Sequence, residues 1–220
     1  MTNFIKCAFL VGVIFLFTGC AQRYTYIEPE KQFYKPMPIN DGVEFSYKFD
    51  MLNEKGNTKF HANALRKEIK VVTVRIKNCT DSTINIARDL QFYSGNTPIT
   101  LLDPILVRNQ IKQQWYWYLG YMSIYPTAFY VIVNGTVLVN WAFGAILGPG
   151  LTILNIHNVY VANKNLLIDL TDNDIRDSEI SNRQTIYGII CYYEQNEGQL
   201  SVKFKNQSQK IDLSTSELIN

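Results

Sequence analysis

The feature that most constrains this chain is a long internal segment without charge. No Asp, Glu, Lys or Arg occurs from Gln113 to Asn163, although 18% of the whole chain is charged. Aqueous surfaces normally carry such side chains, and charged side chains are costly inside a membrane. The segment therefore predicts an apolar surface that is covered by a membrane, by a partner or by the protein's own core.

Two apolar arms, 115–133 and 136–156, meet at Asn134-Gly135. Each arm is close to the length that spans a bilayer as a helix, which favours a helical, membrane-associated hairpin within an insert at 113–156. Two alternatives remain open. One is a β-hairpin of Phe129–Val133 and Thr136–Trp141, because Asn-Gly is a strong hairpin turn signal. The other is a buried core segment of a soluble domain.

Aromatic residues and glycines in this insert are the candidate contact residues. Trp and Tyr side chains prefer the membrane–water interface, and glycines four residues apart let two helices approach closely. The residues predicted to contact a membrane or a partner are Trp115, Trp117, Tyr118, Tyr121, Trp141, Gly144 and Gly148.

The N-terminus has the layout of a lipoprotein signal. Lys6 is followed by an apolar run, Cys7–Phe17, and then by Thr18-Gly19-Cys20. The apolar run is too short for a permanent spanning helix and is typical of a cleaved signal peptide over residues 1–19. We expect Cys20 to be lipidated and to hold the protein on a membrane. Residues 20–40 contain three prolines and predict an extended tether.

Alternating apolar residues predict β-strands on both sides of the insert. The alternation is clear at 43–49 and 69–77, and again at 200–204, which we expect to pair with the β-rich segment 185–193. Such short strands favour an antiparallel sandwich formed by residues 41–112 and 173–213. The polar segment 51–67 predicts a loop.

A helix is expected between the insert and the last strands. Apolar residues at helical spacing predict an amphipathic helix over 151–172, with Asp169 and Asp172 on its polar face.

Two stretches resemble a known group of proteins. Val71–Ile84 is similar to a strand, asparagine and return-strand element, and Asn182–Gly188 is similar to a late strand entry. Both resemble bacterial, Bacteroidota-like envelope lipoproteins with an immunoglobulin-like β-sandwich. The resemblance implies a mainly β fold, here interrupted by the apolar hairpin and one amphipathic helix. It implies no activity, because such a fold hosts many functions.

Few residues suggest catalysis. His61 and His157 have no neighbouring ligands at metal-binding spacing, and the acidic run at 169–179 lacks the pattern of a calcium loop. Cys79 and Cys191 could pair in an oxidising compartment. A formal net charge of +2 argues against nucleic-acid binding. We therefore expect no enzymatic activity, no cofactor and no metal site.

The sequence thus favours a structural or interaction module of a bacterial cell envelope. Lipid on Cys20 and the insert at 113–156 would provide two contacts with a membrane or a membrane-protein partner. The alternative is a ligand-binding module whose aromatic residues stack on glycan or cell-wall material. Ala21 and Gln22-Arg23 lack the acidic residues of other sorting signals, which favours a periplasm-facing protein on either the inner or the outer membrane.

Overall fold

A computed structural model describes residues 20–35, 39–141, 144–194 and 198–205. The chain divides into two compact units. Unit 1 comprises Met1–Tyr24 and Gln113–Lys164, and unit 2 comprises Thr25–Lys112 and Asn165–Asn220. The predicted signal peptide, residues 1–19, lies outside the described residues.

Helices and antiparallel strands alternate along the chain. The strands are β1 Ile39–Asn40, β2 Val43–Lys48, β3 Ile69–Asn78, β4 Ile84–Asn85, β5 Leu90–Ser94, β6 Thr97–Ile99, β7 Phe129–Val133, β8 Thr136–Trp141, β9 Glu179–Ile180, β10 Thr185–Tyr193 and β11 Leu200–Phe204. The α-helices are α1 Met51–Glu54, α2 Thr58–Arg66, α3 Ile86–Asp89, α4 Pro104–Ile111 and α5 Gly144–Asp172. Two 3-10 helices cover Pro29–Lys31 and Trp115–Ile124. The antiparallel strands and an apolar helix are present as predicted, but the fold is mixed rather than mainly β.

Unit 2 is built on two antiparallel sheets that share one hydrophobic core. Their strand orders are β1-β2-β3-β10 and β11-β5-β6. Inward residues of both sheets lie in a single buried cluster, in which the Phe45 and Phe92 rings meet edge to face at 5.8 Å. Alternation places these residues on one face of each strand, and burying them together removes their apolar surface from water.

The strands predicted from alternation are present, but one pairing differs. β10 pairs with β3 over its whole length, from Thr185↔Lys77 to Tyr193↔Ile69. β11 pairs with β5, not with β10 as expected. A hairpin between sequence neighbours is the usual expectation, whereas here the chain crosses to the other sheet between β10 and β11.

The predicted loop at 51–67 is also wrong, because it contains α1 and α2. In α1, Met51 and Leu52 are buried. In α2, Phe60 and Ala64, which are four residues apart, are buried. A short apolar stripe on otherwise polar helices carries these residues into the core of unit 2.

The predicted tether differs from the structure as well. Tyr24, Ile27 and Pro29 are buried, and the Ile27 N–H donates to the Asp169 Oδ2 at 2.9 Å. A flexible linker would leave these groups in water. The segment is instead packed, and Asp169 does not lie on a solvated face as predicted. Its carboxylate is buried and also accepts a 2.9 Å bond from Asn173 Nδ2.

The charge-free segment forms most of unit 1, and it does not fold as the predicted helical hairpin. The first arm is the 3-10 helix Trp115–Ile124 followed by β7, and the second arm is β8 followed by α5. β7 and β8 form the β-hairpin that was one of the two alternatives to a helical hairpin. Asn134 and Gly135 have φ values of 50° and 77°, the left-handed conformation that a type I′ turn requires.

The long helix α5 begins at Gly144, seven residues before the predicted start at 151. The helix continues through Pro149. Its residues up to Lys164 belong to unit 1 and those from Asn165 to unit 2. Among the described helices, α5 is long and apolar enough to cross a membrane by length and composition.

Candidate functional site

The structure brings most predicted contact residues together in unit 1. Cys20, the aromatic residues from Trp115 to Tyr121 and the glycines Gly144 and Gly148 all belong to this unit. Trp141 ends β8, and its side chain lies outside what the structure describes. The candidate site is therefore the surface of this unit together with the polar groups that hold it together.

The two glycines allow α5 to lie directly against backbone, as predicted, but the partner is a 3-10 helix. A Cβ atom on Gly144 would overlap the carbonyl oxygen of Ile124. One on Gly148 would lie 3.0 Å from the carbonyl oxygen of Tyr121. The Gly144 N–H donates to the carbonyl of Thr127 at 3.1 Å. Close backbone approach of this kind requires glycine.

Uncharged polar side chains hold the interior of unit 1 together. Gln113 and Asn163 exchange two bonds of 2.9 Å, one through each backbone group of Gln113. The Gln113 side chain in turn accepts from the Gln22 N–H at 3.1 Å and donates to the Gln22 carbonyl at 2.7 Å. Both Gln113 and Asn163 are buried. All four of these hydrogen bonds join neutral groups, so polar side chains are buried here without a buried charge.

The residue after Cys20 is bound to the middle of α5. The Ala21 N–H donates to the Asn155 Oδ1 at 2.6 Å, and Asn155 Nδ2 donates to the Leu151 carbonyl at 2.8 Å. The Tyr121 side chain forms a hydrogen bond with Cys20, which is exposed. The proposed lipid attachment point is therefore part of unit 1.

The polarity of α5 within unit 1 is inverted relative to a helix on a water-soluble surface. Thr152, Asn155 and Asn163 are buried, together with Val159 and Ala162. Apolar pairs are exposed every seven residues, which are Ile146 and Leu147, Ile153 and Leu154, and Tyr160 and Val161, and His157 is exposed between the last two pairs. Ile146, Ile153 and Tyr160 are 73%, 67% and 68% exposed. We call these six residues the α5 stripe.

The aromatic cluster is divided between surface and interior. Trp115, Tyr116 and Trp117 are exposed, and Trp117 is 74% exposed. Tyr118 is buried and stacks on Tyr121, with ring planes 16° apart. The exposed rings are inclined to each other by 77° and 42°, so they do not form one flat platform. This arrangement suits several orientations at an interface better than stacking on a single planar ligand.

Sequence reasoning missed the polar residues that matter most here. Gln113 was only the start of the charge-free segment, and Asn155 was not singled out. The available signal was a set of amides at 155 and 163, eight residues apart on an apolar helix. This spacing places both side chains on one face of the helix.

The remaining reactive side chains are separated. Val71 lies opposite Cys191 in the sheet, and Cys79 is eight residues further along, about 26 Å at 3.3 Å per residue. A disulfide needs Cα atoms within about 7 Å, so the two cysteines are free. Burial raises the pKa of the Cys191 thiol well above its usual range. Within the described residues, no three His, Cys, Asp or Glu side chains are grouped as metal ligands.

Comparison with known proteins adds no relative. No protein-family profile matches the chain, and no curated protein or solved structure is significantly similar to it.

Proposed function

We propose that this chain is a lipid-anchored protein of a bacterial cell envelope. Cys20 carries the lipid, and unit 1 is a second membrane contact beside it. In this proposal the protein acts as a structural or interaction module rather than as an enzyme, and it faces the periplasm.

The inverted polarity of α5 carries the proposal. A helix that faces water has charged residues outside and apolar residues inside, whereas unit 1 buries amides and exposes isoleucine and leucine. Helices in lipid are expected to show this inverted pattern, because small and polar residues join the segments while apolar side chains face the acyl chains. From Gly144 to Asn163 the helix rises about 30 Å, at 1.5 Å per residue.

The exposed rings support the same function. Trp115 and Tyr116 are about half exposed and Trp117 is largely exposed, and such rings gain stability at the boundary between headgroups and acyl chains. Gln113, two residues before Trp115, is bonded to Asn163 near the end of the charge-free part of α5. The rings therefore begin beside the part of α5 that directly precedes Lys164, the first charge after the segment.

The bonds at Ala21 and Gln22 support a single anchored body. A lipid on Cys20 and a separate apolar surface would reinforce each other only if both could reach the membrane together. Because Ala21 is bound to Asn155, the residue that follows the lipid attachment point is held against the helix that carries the α5 stripe.

The same proposal includes an immunoglobulin-like fold for unit 2. Strands β2, β3 and β10 are adjacent in one sheet, and β6, β5 and β11 are adjacent in the other. If β2, β3 and β10 correspond to the immunoglobulin strands A, B and E, then β6, β5 and β11 correspond to strands C′, C and F. The apolar unit is then an insertion between strands C′ and E.

Vesicle flotation of matched variants tests the proposed function. Ile153 in the α5 stripe and Ile105 in α4 of unit 2 are exposed isoleucines, at 67% and 59%. A carboxylate in hydrocarbon costs about 2.5–3.5 kcal/mol. In a Cys20→Ala background, Ile153→Glu should reduce vesicle binding at least tenfold, whereas Ile105→Glu should leave it unchanged. Equal binding of both variants would contradict a membrane role for the stripe.

The lipid is tested separately. Metabolic labelling with palmitate should mark the wild type and not the Cys20→Ala variant. The wild-type protein should remain in the membrane fraction at high salt, because an acyl anchor does not depend on charge. A wild-type protein that incorporates no palmitate and that salt alone releases from the membrane would contradict anchoring at Cys20.

A further inference from the structure

Only two charged side chains belong to the described part of unit 1, which covers residues 20–24, 113–141 and 144–164. They are Arg23 and Lys164, and both are basic and exposed, whereas His157 counts as neutral at pH 7. Neither cation forms an ion pair with a carboxylate of another described residue. This part of the protein therefore presents two positive charges and no negative charge.

A hydrogen-bond network holds the residues beside these two cations together. Both backbone groups of Gln22 are bonded to the Gln113 side chain, and both backbone groups of Gln113 are bonded to the Asn163 side chain. Arg23 directly follows Gln22, and Lys164 directly follows Asn163. The two cations therefore lie at the same end of unit 1.

Lys164 extends the face of α5 that carries the α5 stripe. It comes three residues after Val161 and four after Tyr160, and side chains at these spacings share one face of a helix. A lysine side chain can lie along apolar surface while its charge stays at the polar boundary. The exposed ring of Trp115, two residues after Gln113, favours the same boundary. When the stripe contacts acyl chains, the Lys164 ammonium group is therefore placed among the headgroups.

We infer that Arg23 and Lys164 form a site for the phosphate groups of anionic lipids, an inference that rests on the proposed function. An Arg guanidinium can donate two parallel hydrogen bonds to a phosphate, and a Lys ammonium binds a phosphate as a point charge. Exposed cations are attracted to a membrane surface of net negative charge. The described part of unit 1 has no carboxylate to oppose this attraction, so its charges favour an anionic headgroup over a zwitterionic one.

Vesicle binding separates this site from the apolar contact. The full chain with Cys20→Ala, which lacks the acyl anchor, is titrated with two kinds of vesicle. One contains phosphatidylcholine alone, and the other contains equal parts of phosphatidylcholine and phosphatidylglycerol. Each cation near an anionic surface should contribute about fivefold in affinity. The double variant Arg23→Gln/Lys164→Gln should therefore bind the anionic vesicles at least tenfold more weakly than its parent, and the neutral vesicles equally well.

Two further double variants serve as controls. Lys67→Gln/Arg183→Gln removes two exposed cations from unit 2 and should change neither affinity. Arg23→Lys/Lys164→Arg keeps both charges and should bind the anionic vesicles like the parent. All of these side chains are exposed, so the circular dichroism spectra should match. The preference of the parent for anionic vesicles should also shrink at high salt, because salt screens exposed charges.

The outcomes distinguish this inference from the proposed function. Equal binding of the parent to both kinds of vesicle overturns the phosphate site and leaves the apolar contact standing. A preference for anionic vesicles that Arg23→Gln/Lys164→Gln retains, or that the unit 2 control loses equally, overturns it as well. A preference that disappears only in Arg23→Gln/Lys164→Gln supports the site, even where Ile153→Glu leaves binding unchanged and so contradicts the role of the stripe. A parent that binds neither kind of vesicle overturns both proposals.

Discussion

The backbone N–H of Ala21 donates to the Asn155 Oδ1 at 2.6 Å, which joins the residue after Cys20 to the inner face of α5. The next residue, Gln22, is bonded through both backbone groups to the Gln113 side chain. A lipid on Cys20 would therefore be attached to a folded unit, not to a loose chain. The orientation of unit 1 at a membrane would be set by these bonds.

Replacing Asn155 with alanine should release this N-terminal segment. The substitution leaves the partly buried Ala21 N–H without its acceptor, which costs about 1–3 kcal/mol. A loss of 1.4 kcal/mol corresponds to a tenfold change in an opening equilibrium. Hydrogen exchange at the Ala21 amide should therefore accelerate about tenfold or more, as measured by mass spectrometry or NMR.

Gly144→Ala should destabilise unit 1, because the new methyl group would overlap the Ile124 carbonyl, which is backbone and cannot rotate away. Overpacking of this kind costs about 1–3 kcal/mol. Gly150→Ala is the matched control, since a Cβ atom there meets no atom within 4 Å. That substitution should stabilise the helix by up to about 1 kcal/mol. Thermal unfolding in detergent should shift in opposite directions for the two variants, and a shift in the same direction would refute the packing argument.

Local patterns predicted the strands well. The alternation in Val43–Lys48 and Ile69–Asn78 is a property of consecutive residues, and burial of one face follows from it directly. The partner of Leu200–Phe204 could not be predicted in the same way. Both β5 and β10 offer suitable apolar faces, and only the complete core determines which one pairs.

The sequence predicted that the charge-free segment has an apolar surface, but not its secondary structure. Its length suggested two helices, whereas the Asn134-Gly135 turn and the β-branched residues beside it produce strands. Pro149 did not stop α5, because a proline in the second turn costs one hydrogen bond and the rest of the helix is held by its buried face. The spacing of Gly144 and Gly148 correctly indicated close approach, but a backbone partner cannot be identified from side-chain patterns.

Trp117→Ala distinguishes the ligand-binding alternative from the proposed function. If the exposed rings stack on sugar, wild-type protein should bind a glycan array and Trp117→Ala should lose that binding. The proposed function predicts no glycan-dependent difference between the two proteins and a weaker vesicle affinity for the variant. Tyr118→Phe serves as the control, because Tyr118 is buried and cannot contact a ligand at the surface.

Asp169→Ala should destabilise unit 2. Its carboxylate accepts from the Ile27 N–H and from Asn173 Nδ2. In the variant the buried Ile27 N–H loses its acceptor, whereas Asn173 Nδ2 keeps its bond to the Asp169 backbone carbonyl. A buried unsatisfied donor costs about 1–3 kcal/mol, so the urea midpoint should fall accordingly. The control is Asp172→Ala, three residues later on the same helix and exposed. A surface substitution of that kind normally changes stability by less than about 0.5 kcal/mol.

Tyr192 should make the stability of unit 2 fall at alkaline pH. Burial raises the pKa of Tyr192 to about 12, while an unfolded tyrosine ionises near pH 10. Above pH 10 the unfolded chain therefore loses this proton and the folded chain keeps it, which favours unfolding until the folded pKa is passed. Urea unfolding at intervals from pH 8 to pH 11.5 should show a steeper alkaline loss for the wild type than for Tyr192→Phe. The variant also loses the hydrogen bond to Ser94, so it should be less stable at pH 8, with the difference narrowing as pH rises. Parallel pH profiles for the two proteins would show that Tyr192 is not the group responsible.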